Sequence, residues 1–196
     1  MLLISVVFTV LLTKVDVKPI GPNNSTVGLS SVNNRLRVDY NETYYKISKY
    51  LGYAALLIPV VYAGIGVYQL IKRKSFAKVD KRLYILAIFY VVVLATYVLF
   101  EKVVINYRPV MLDGGLEASF PSSHTLMSLC FAISAIIVNK SLFKDKTKII
   151  NIALFILGMA IMTFRLLSGV HWFTDIMGAA LYASSLLLIF KSFVKE

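Results

Sequence analysis

Long apolar runs separated by short polar connections dominate the chain. Six such runs can be marked, at residues 1–13, 51–71, 83–105, 123–138, 149–167 and 172–190. A bilayer-spanning helix takes about 20 residues, with a range of about 17 to 25. The second, third, fifth and sixth runs meet that length, the fourth is marginal and the first is short. The pattern predicts an all-α polytopic membrane protein, a bundle of about six transmembrane helices forming a single domain over residues 1–196. The first run begins at Met1 with no basic residue ahead of it, unlike a secretory signal. It extends past Lys14 if that side chain reaches the interface.

Residues 14–50 form the one long polar region, and it carries the turn formers Pro19, Gly21, Pro22, Asn23, Asn24 and Ser25. Its last part, residues 39–50 (DYNETYYKISKY), is amphipathic and rich in tyrosine, and is expected to lie along the membrane interface. No internal repeat is visible. Composition strengthens the membrane reading: 58% of residues are hydrophobic and 16% charged, against about 25% charged in a soluble domain. The mean hydropathy is +0.75.

The net charge of +11 raises the question of nucleic acid. The basic residues sit in short runs between apolar segments, which fits membrane orientation and contact with anionic lipid heads instead. Lys72, Arg73, Lys74, Lys78, Lys81 and Arg82 lie between the second and third runs. Lys140, Lys144, Lys146 and Lys148 lie between the fourth and fifth, and Lys191 and Lys195 at the C-terminus. With six spans these share one side, the cytoplasmic one, which puts the 14–50 loop and the other two connections outside. The lone Cys130, inside an apolar run, forms no intrachain disulfide and reads as a small buried hydrophobe.

Three regions carry candidate chemistry, all at the outer ends of spans. Arg165 lies near the outer end of the fifth span, Ser168 and Gly169 form a turn, and His171 and Asp175 stand four apart at the start of the sixth. That spacing shares a helix face. A carboxylate there holds one imidazole nitrogen protonated and leaves the other free to attack. Arginine supplies a planar fork for phosphate oxygens. Ionisable groups inside a span are costly, and three within eleven residues are hard to explain as packing. Upstream, Pro121 suits the first turn of a helix and Ser122 and Ser123 its cap. The free N–H groups of such a helix start bind phosphate, and His124 beside them can serve as a general acid. Alone, that stretch is an ordinary helix cap. Arg108, followed by Pro109, is a second phosphate fork at the end of the third span. Lys102 is either an added point charge or a snorkelling interfacial lysine.

These regions, over residues 101–175, resemble the type 2 phosphatidic acid phosphatase family, whose pattern is K-x6-R-P, then P-S-G-H, then S-R-x5-H-x3-D. Arg165, His171 and Asp175 match the third motif, with Phe164 where serine precedes arginine. Pro121, Ser122 and His124 match the second, with Ser123 in place of glycine. Arg108 and Pro109 match the first, while Glu101 occupies the lysine position and Lys102 stands one residue off, a rotation of roughly 100° on a helix. The resemblance implies that His171 attacks phosphorus to form a phosphohistidine, that Asp175 orients it, and that His124 protonates the leaving oxygen and then activates water. It implies phosphate binding by Arg108, Arg165, Ser122 and the backbone near Ser123.

No metal or other cofactor is expected, because a two-metal phosphatase needs clustered carboxylates and the loop between Arg108 and His124 offers only Asp113 and Glu117, read as solvated. A site where spans meet outer solvent favours a lipid phosphate over a soluble one. Phosphatidic acid, phosphatidylglycerol phosphate and polyprenyl diphosphates all remain open. The expected setting is the cell membrane, with membrane lipids as partners and no nucleic acid. The alternatives are a lipid phosphotransferase and a noncatalytic protein that binds or transports a lipid headgroup.

Overall fold

The computed structural model describes residues 1–112, 114–143 and 147–194. The loop acid Asp113 and the basic residues Lys144, Lys146 and Lys195 lie outside the described residues. The described chain is helical: α1 (Leu2–Lys14), α2 (Ser30–Arg35), α3 (Glu42–Arg73), α4 (Lys81–Lys102), α5 (Ser123–Leu142), α6 (Lys148–Leu167) and α7 (Phe173–Val194). Helices α3 to α7 are long and apolar enough to cross a membrane. Helix α1 is apolar but has 13 residues, about 20 Å at roughly 1.5 Å per residue, which is short of a hydrocarbon core of about 30 Å.

Helix α5 is the centre of the bundle and packs against α3, α4, α6 and α7. Its sequence explains why. Ser128, Cys130, Ala132, Ser134 and Ala135 are small and buried, and small residues let helix backbones approach closely within a membrane. Gly158 of α6 faces Ala132, where an added Cβ would lie 3.5 Å from the Ala132 Cβ in ordinary van der Waals contact. The outer helices turn large apolar side chains away from the bundle, among them Leu57, Val60 and Val61 on α3 and Ile149, Ile152 and Ile156 on α6. Interhelical hydroxyl pairs join α1 to α7, with Ser5 Oγ 2.9 Å from Ser185 Oγ and Thr9 Oγ1 2.9 Å from the Tyr182 hydroxyl.

From Glu42 onward, residues 39–50 are the first turns of α3, continuous with the apolar stretch that follows. The Asn41 side chain starts that helix by accepting from the Tyr44 N–H at 3.0 Å, a local cap that hydropathy does not register. The polar region before it is folded down onto the bundle. Asp16 accepts from the Ser31 N–H at 2.6 Å and pairs with Lys18 at 2.9 Å, and these contacts hold its carboxyl well below the usual range. Asn33 is fully buried, donates to Thr174 Oγ1 at 2.9 Å and accepts from the Thr174 N–H at 3.2 Å. It thereby satisfies a free N–H at the start of α7, whose first turn bears Asp175.

One close approach sets the position of the segment before α5. Phe120 lies on Gly178 of α7, where an added Cβ would stand 2.1 Å from the Phe120 ring. Gly178→Ala is expected to push Phe120 off its seat and destabilise the protein by about 1–3 kcal/mol, the usual range for an overpacked core. A thermal melt in detergent checks this. Unchanged melting would show that Phe120 is not held there.

Candidate active site

The starts of α3, α5 and α7 and the ends of α4 and α6 gather at one end of the bundle. After α4 the chain runs out to residues 106–108, which pair antiparallel with residues 117–119. Arg108 N–H donates to Glu117 O at 3.1 Å and Ser119 N–H to Asn106 O at 2.9 Å. This short pairing fixes Arg108 and Ser119 on the same small platform. Arg108 is held further by an ion pair with Glu117 at 3.1 Å, so Glu117 is not the solvated loop acid that the sequence led us to expect.

At the other edge, α6 ends at Leu167 and the chain turns through Ser168 and Gly169 as expected. Gly169 has φ +67, and a Cβ on it would come within 2.6 Å of the Val38 and Asp39 carbonyl oxygens. The left-handed backbone and the close pass both call for glycine. His171 follows ahead of α7, which begins at Phe173, so His171 and Asp175 are not on one continuous helix face. Their nearest approach, Nδ1 to Oδ2, is 3.7 Å. That is too long for a hydrogen bond.

Ser119 fills the gap. Its Oγ lies 3.0 Å from His171 Nδ1 and donates to Asp175 Oδ2 at 2.5 Å. On the far side of the ring, Arg165 Nη2 approaches His171 Nε2 at 3.2 Å. A guanidinium has donors only, so Nε2 accepts and carries the lone pair, and the ring proton sits on Nδ1. The resulting relay runs from His171 Nδ1–H to Ser119 Oγ, and from Ser119 O–H to Asp175. Asp175 also accepts from the Trp172 N–H at 2.9 Å and from Asn106 Nδ2 at 3.4 Å. Burial drives His171 well below the usual histidine range, and the charges of Arg165, Arg108 and His124 add to that. The ring is therefore held neutral, the form with a free lone pair.

Arg165 is 1% exposed. It touches Ser48 Oγ through Nη1 at 3.5 Å and sits over the Tyr45 ring at 5.4 Å, both on α3. His124 stands in the first turn of α5 against Gly52 of α3, where a Cβ would lie 2.8 Å from its Cδ2. Arg108 Nε, Arg165 Nε and His124 Nδ1 are buried without a hydrogen-bond partner among the described residues. Ser122 is the N-cap of α5. Its Oγ donates to Thr125 Oγ1 at 3.1 Å and accepts no capping bond from a backbone N–H, and its own N–H donates to Asp175 O at 3.2 Å. Pro121 therefore precedes the cap instead of sitting in the first turn. Ser123 lines a recess with Tyr97, Glu101, Ser119 and His171. Lys102, the last residue of α4, is exposed, and no salt bridge among the described residues joins it to this cluster.

The structure thus brings together Arg108, Ser122, Ser123, His124, Arg165, His171 and Asp175, while Lys102 stands exposed at the end of α4. It adds Ser119, Asn106, Tyr45 and Ser48. Asn106 and Ser119 are polar residues beside the first and second motifs, but nothing in their spacing marks them as partners of Asp175.

A multi-pass helical membrane protein with two histidines, an aspartate and two arginines gathered at one end of the bundle is the class that this fold and site define. The chain belongs to the PAP2 superfamily, whose model matches residues 88–196. At the level of the family it is a lipid phosphatase. Its fold is similar to the crystal structure of a transmembrane PAP2 type phosphatidylglycerolphosphate phosphatase from Bacillus subtilis, at a TM-score of 0.60 and 15% identity, covering 99% of this chain and 92% of that one. No curated protein matches the chain by sequence.

Imidazole nitrogen shifts in protein labelled at histidine test the relay. His171 is expected to stay neutral with its proton on Nδ1 between about pH 5 and 8, and Ser119→Ala to loosen that tautomer while Ser119→Thr keeps it. A proton on Nε2 in the wild type would contradict the assignment.

Proposed function

We propose that the protein hydrolyses a lipid phosphate or diphosphate through a phosphohistidine on His171, without a metal ion, at the extracytoplasmic face of the cell membrane. The observation that carries this reading is the lone pair of His171 Nε2, fixed by the Ser119–Asp175 relay and facing Arg165. In the first step Nε2 attacks phosphorus, the bond from phosphorus to the leaving oxygen breaks, and His124 gives that oxygen a proton. In the second step His124 takes a proton from water, the water oxygen attacks phosphorus, and the N–P bond breaks to release phosphate and free His171. Splitting one displacement into two lowers each barrier.

Asp175 favours the positive charge that grows on His171 during attack, acting through Ser119. The unpartnered Nε–H groups of Arg108 and Arg165 suit the equatorial oxygens of the transferring phosphoryl group, where cationic donors aimed in advance lower the barrier most. The first turn of α5, from Ser123 on, adds backbone N–H groups. The outward orientation rests on the basic connection after α3, from Lys72 to Arg82, which lies at the opposite end of the bundle from the site.

Phosphate release by detergent-purified protein in EDTA, on phosphatidic acid, phosphatidylglycerol phosphate and a polyprenyl diphosphate, tests the reading. Wild type is expected to be active, and His171→Ala to lose more than about a thousandfold. Equal release by the two proteins would remove His171 as nucleophile. His124→Ala is expected to cost about 10²–10⁴ on phosphatidic acid, whose leaving alkoxide needs a proton, and less on a diphosphate, whose leaving phosphate does not. A uniform loss would argue against the acid role.

A further inference from the structure

Helix α3 lays one face against the site, and the contacts define that face. Tyr45 stacks on Arg165, Ser48 meets Arg165 Nη1, and Gly52 abuts the His124 ring. Positions 45, 48 and 52 are an i, i+3, i+7 set, and position 49 completes it as i+4. That position is Lys49. It is carried on the face that covers the site, between the residues that touch Arg165 and the one that touches His124.

Two further observations single it out. No salt bridge among the described residues involves Lys49, and its side chain is exposed at the outer end of α3. Its charge acts on His124, along with those of Arg165 and Arg108. Gly52, which abuts the His124 ring, follows Lys49 by one turn on the same face, so the lysine lies on the His124 side of the site.

We propose that Lys49 is a substrate-binding cation on the leaving-group side of the site, selecting lipid phosphates whose leaving group itself carries a second phosphate. This rests on the phosphatase reading above, which makes the His124 side the side where the leaving group departs. With a lipid diphosphate the Nε2–P bond forms as the bond from phosphorus to the bridging oxygen breaks. The bonding pair stays on that oxygen, which leaves as part of a phosphate anion. An ammonium beside it binds the second phosphate in the ground state and offsets the charge gained on departure. With phosphatidic acid the departing oxygen takes a proton and no second anion is present, so Lys49 has much less to bind.

Binding of methylenediphosphonate and of methylphosphonate to the full chain in detergent, measured by calorimetry for wild type, Lys49→Gln and Lys49→Arg, tests the proposal without turnover. Lys49→Gln is expected to weaken the diphosphonate about tenfold more than the monophosphonate, and Lys49→Arg to restore most of that preference. In steady-state assays the ratio of kcat/KM on a polyprenyl diphosphate to that on phosphatidic acid is expected to fall by a similar factor in Lys49→Gln. An unchanged preference in Lys49→Gln, or an equal loss on both ligands, would overturn the proposal. Absence of phosphate release from any lipid by the wild type would count against the phosphatase reading, while the binding ratio would still decide the role of Lys49.

Discussion

The buried carboxylate of Asp175 is the constraint on which the rest of the site depends. It is fully enclosed at the start of α7, where an unpaired charge is untenable, and removing one partner of a buried charge costs about 3–5 kcal/mol. Its acceptors are filled from three parts of the chain: Ser119 before α5, the Trp172 backbone beside His171, and Asn106 after α4. Satisfying one charge thus fixes three segments that the hydrophobic bundle alone would leave free. Asn106 reaches further, since its Oδ1 accepts from the Gly28 N–H at 3.3 Å while Asn33 donates to the Gly28 carbonyl. The polar region of residues 15–41 is in this way tied to the carboxylate that the catalytic reading depends on.

The same pairing explains why the histidine can be a nucleophile at all. An imidazole stripped of solvent beside the guanidinium groups of Arg165 and Arg108 is driven neutral, but neutrality alone does not choose the nitrogen that keeps the lone pair. Arg165, which can only donate, makes the choice on one side, and Ser119 with Asp175 makes it on the other. Both groups are held by the fold before any substrate arrives, Arg165 by Ser48 and Tyr45 of α3 and Ser119 by the pairing with Asn106. Little reorganisation remains at the moment of reaction, which is where electrostatic catalysis gains most.

Much of this was legible in the sequence. Long apolar runs announce membrane helices because lipid demands a backbone that satisfies itself, and five of the six runs became helices of spanning length. Arg165, His171 and Asp175 stood out because charged groups in such runs need a reason. What the sequence hid were contacts between segments distant along the chain. Ser119 inserts between His171 and Asp175 where its backbone pairs with Asn106 and Phe120 seats on Gly178, and neither Ser119 nor Phe120 carries a periodic signal. Asn33 meets Thr174 across 141 positions. Asn41 begins α3 ahead of its hydrophobic stretch, which makes most of the tyrosine-rich segment continuous with a helix of spanning length. The off-register Lys102 ends α4 with its side chain exposed, while Lys49, inside a polar stretch with nothing to distinguish it, lies on the covering face of α3.

Trapping the covalent intermediate tests the central claim most directly. Wild type and His124→Ala would be quenched during turnover of a lipid diphosphate radiolabelled at its terminal phosphate, whose leaving group needs no proton, so that the variant is slowed mainly in its second step, and the label mapped by mass spectrometry. The account predicts an acid-labile phosphate on His171, accumulating in His124→Ala. Turnover with no covalent phosphate, or a phosphate on any other residue, would contradict it.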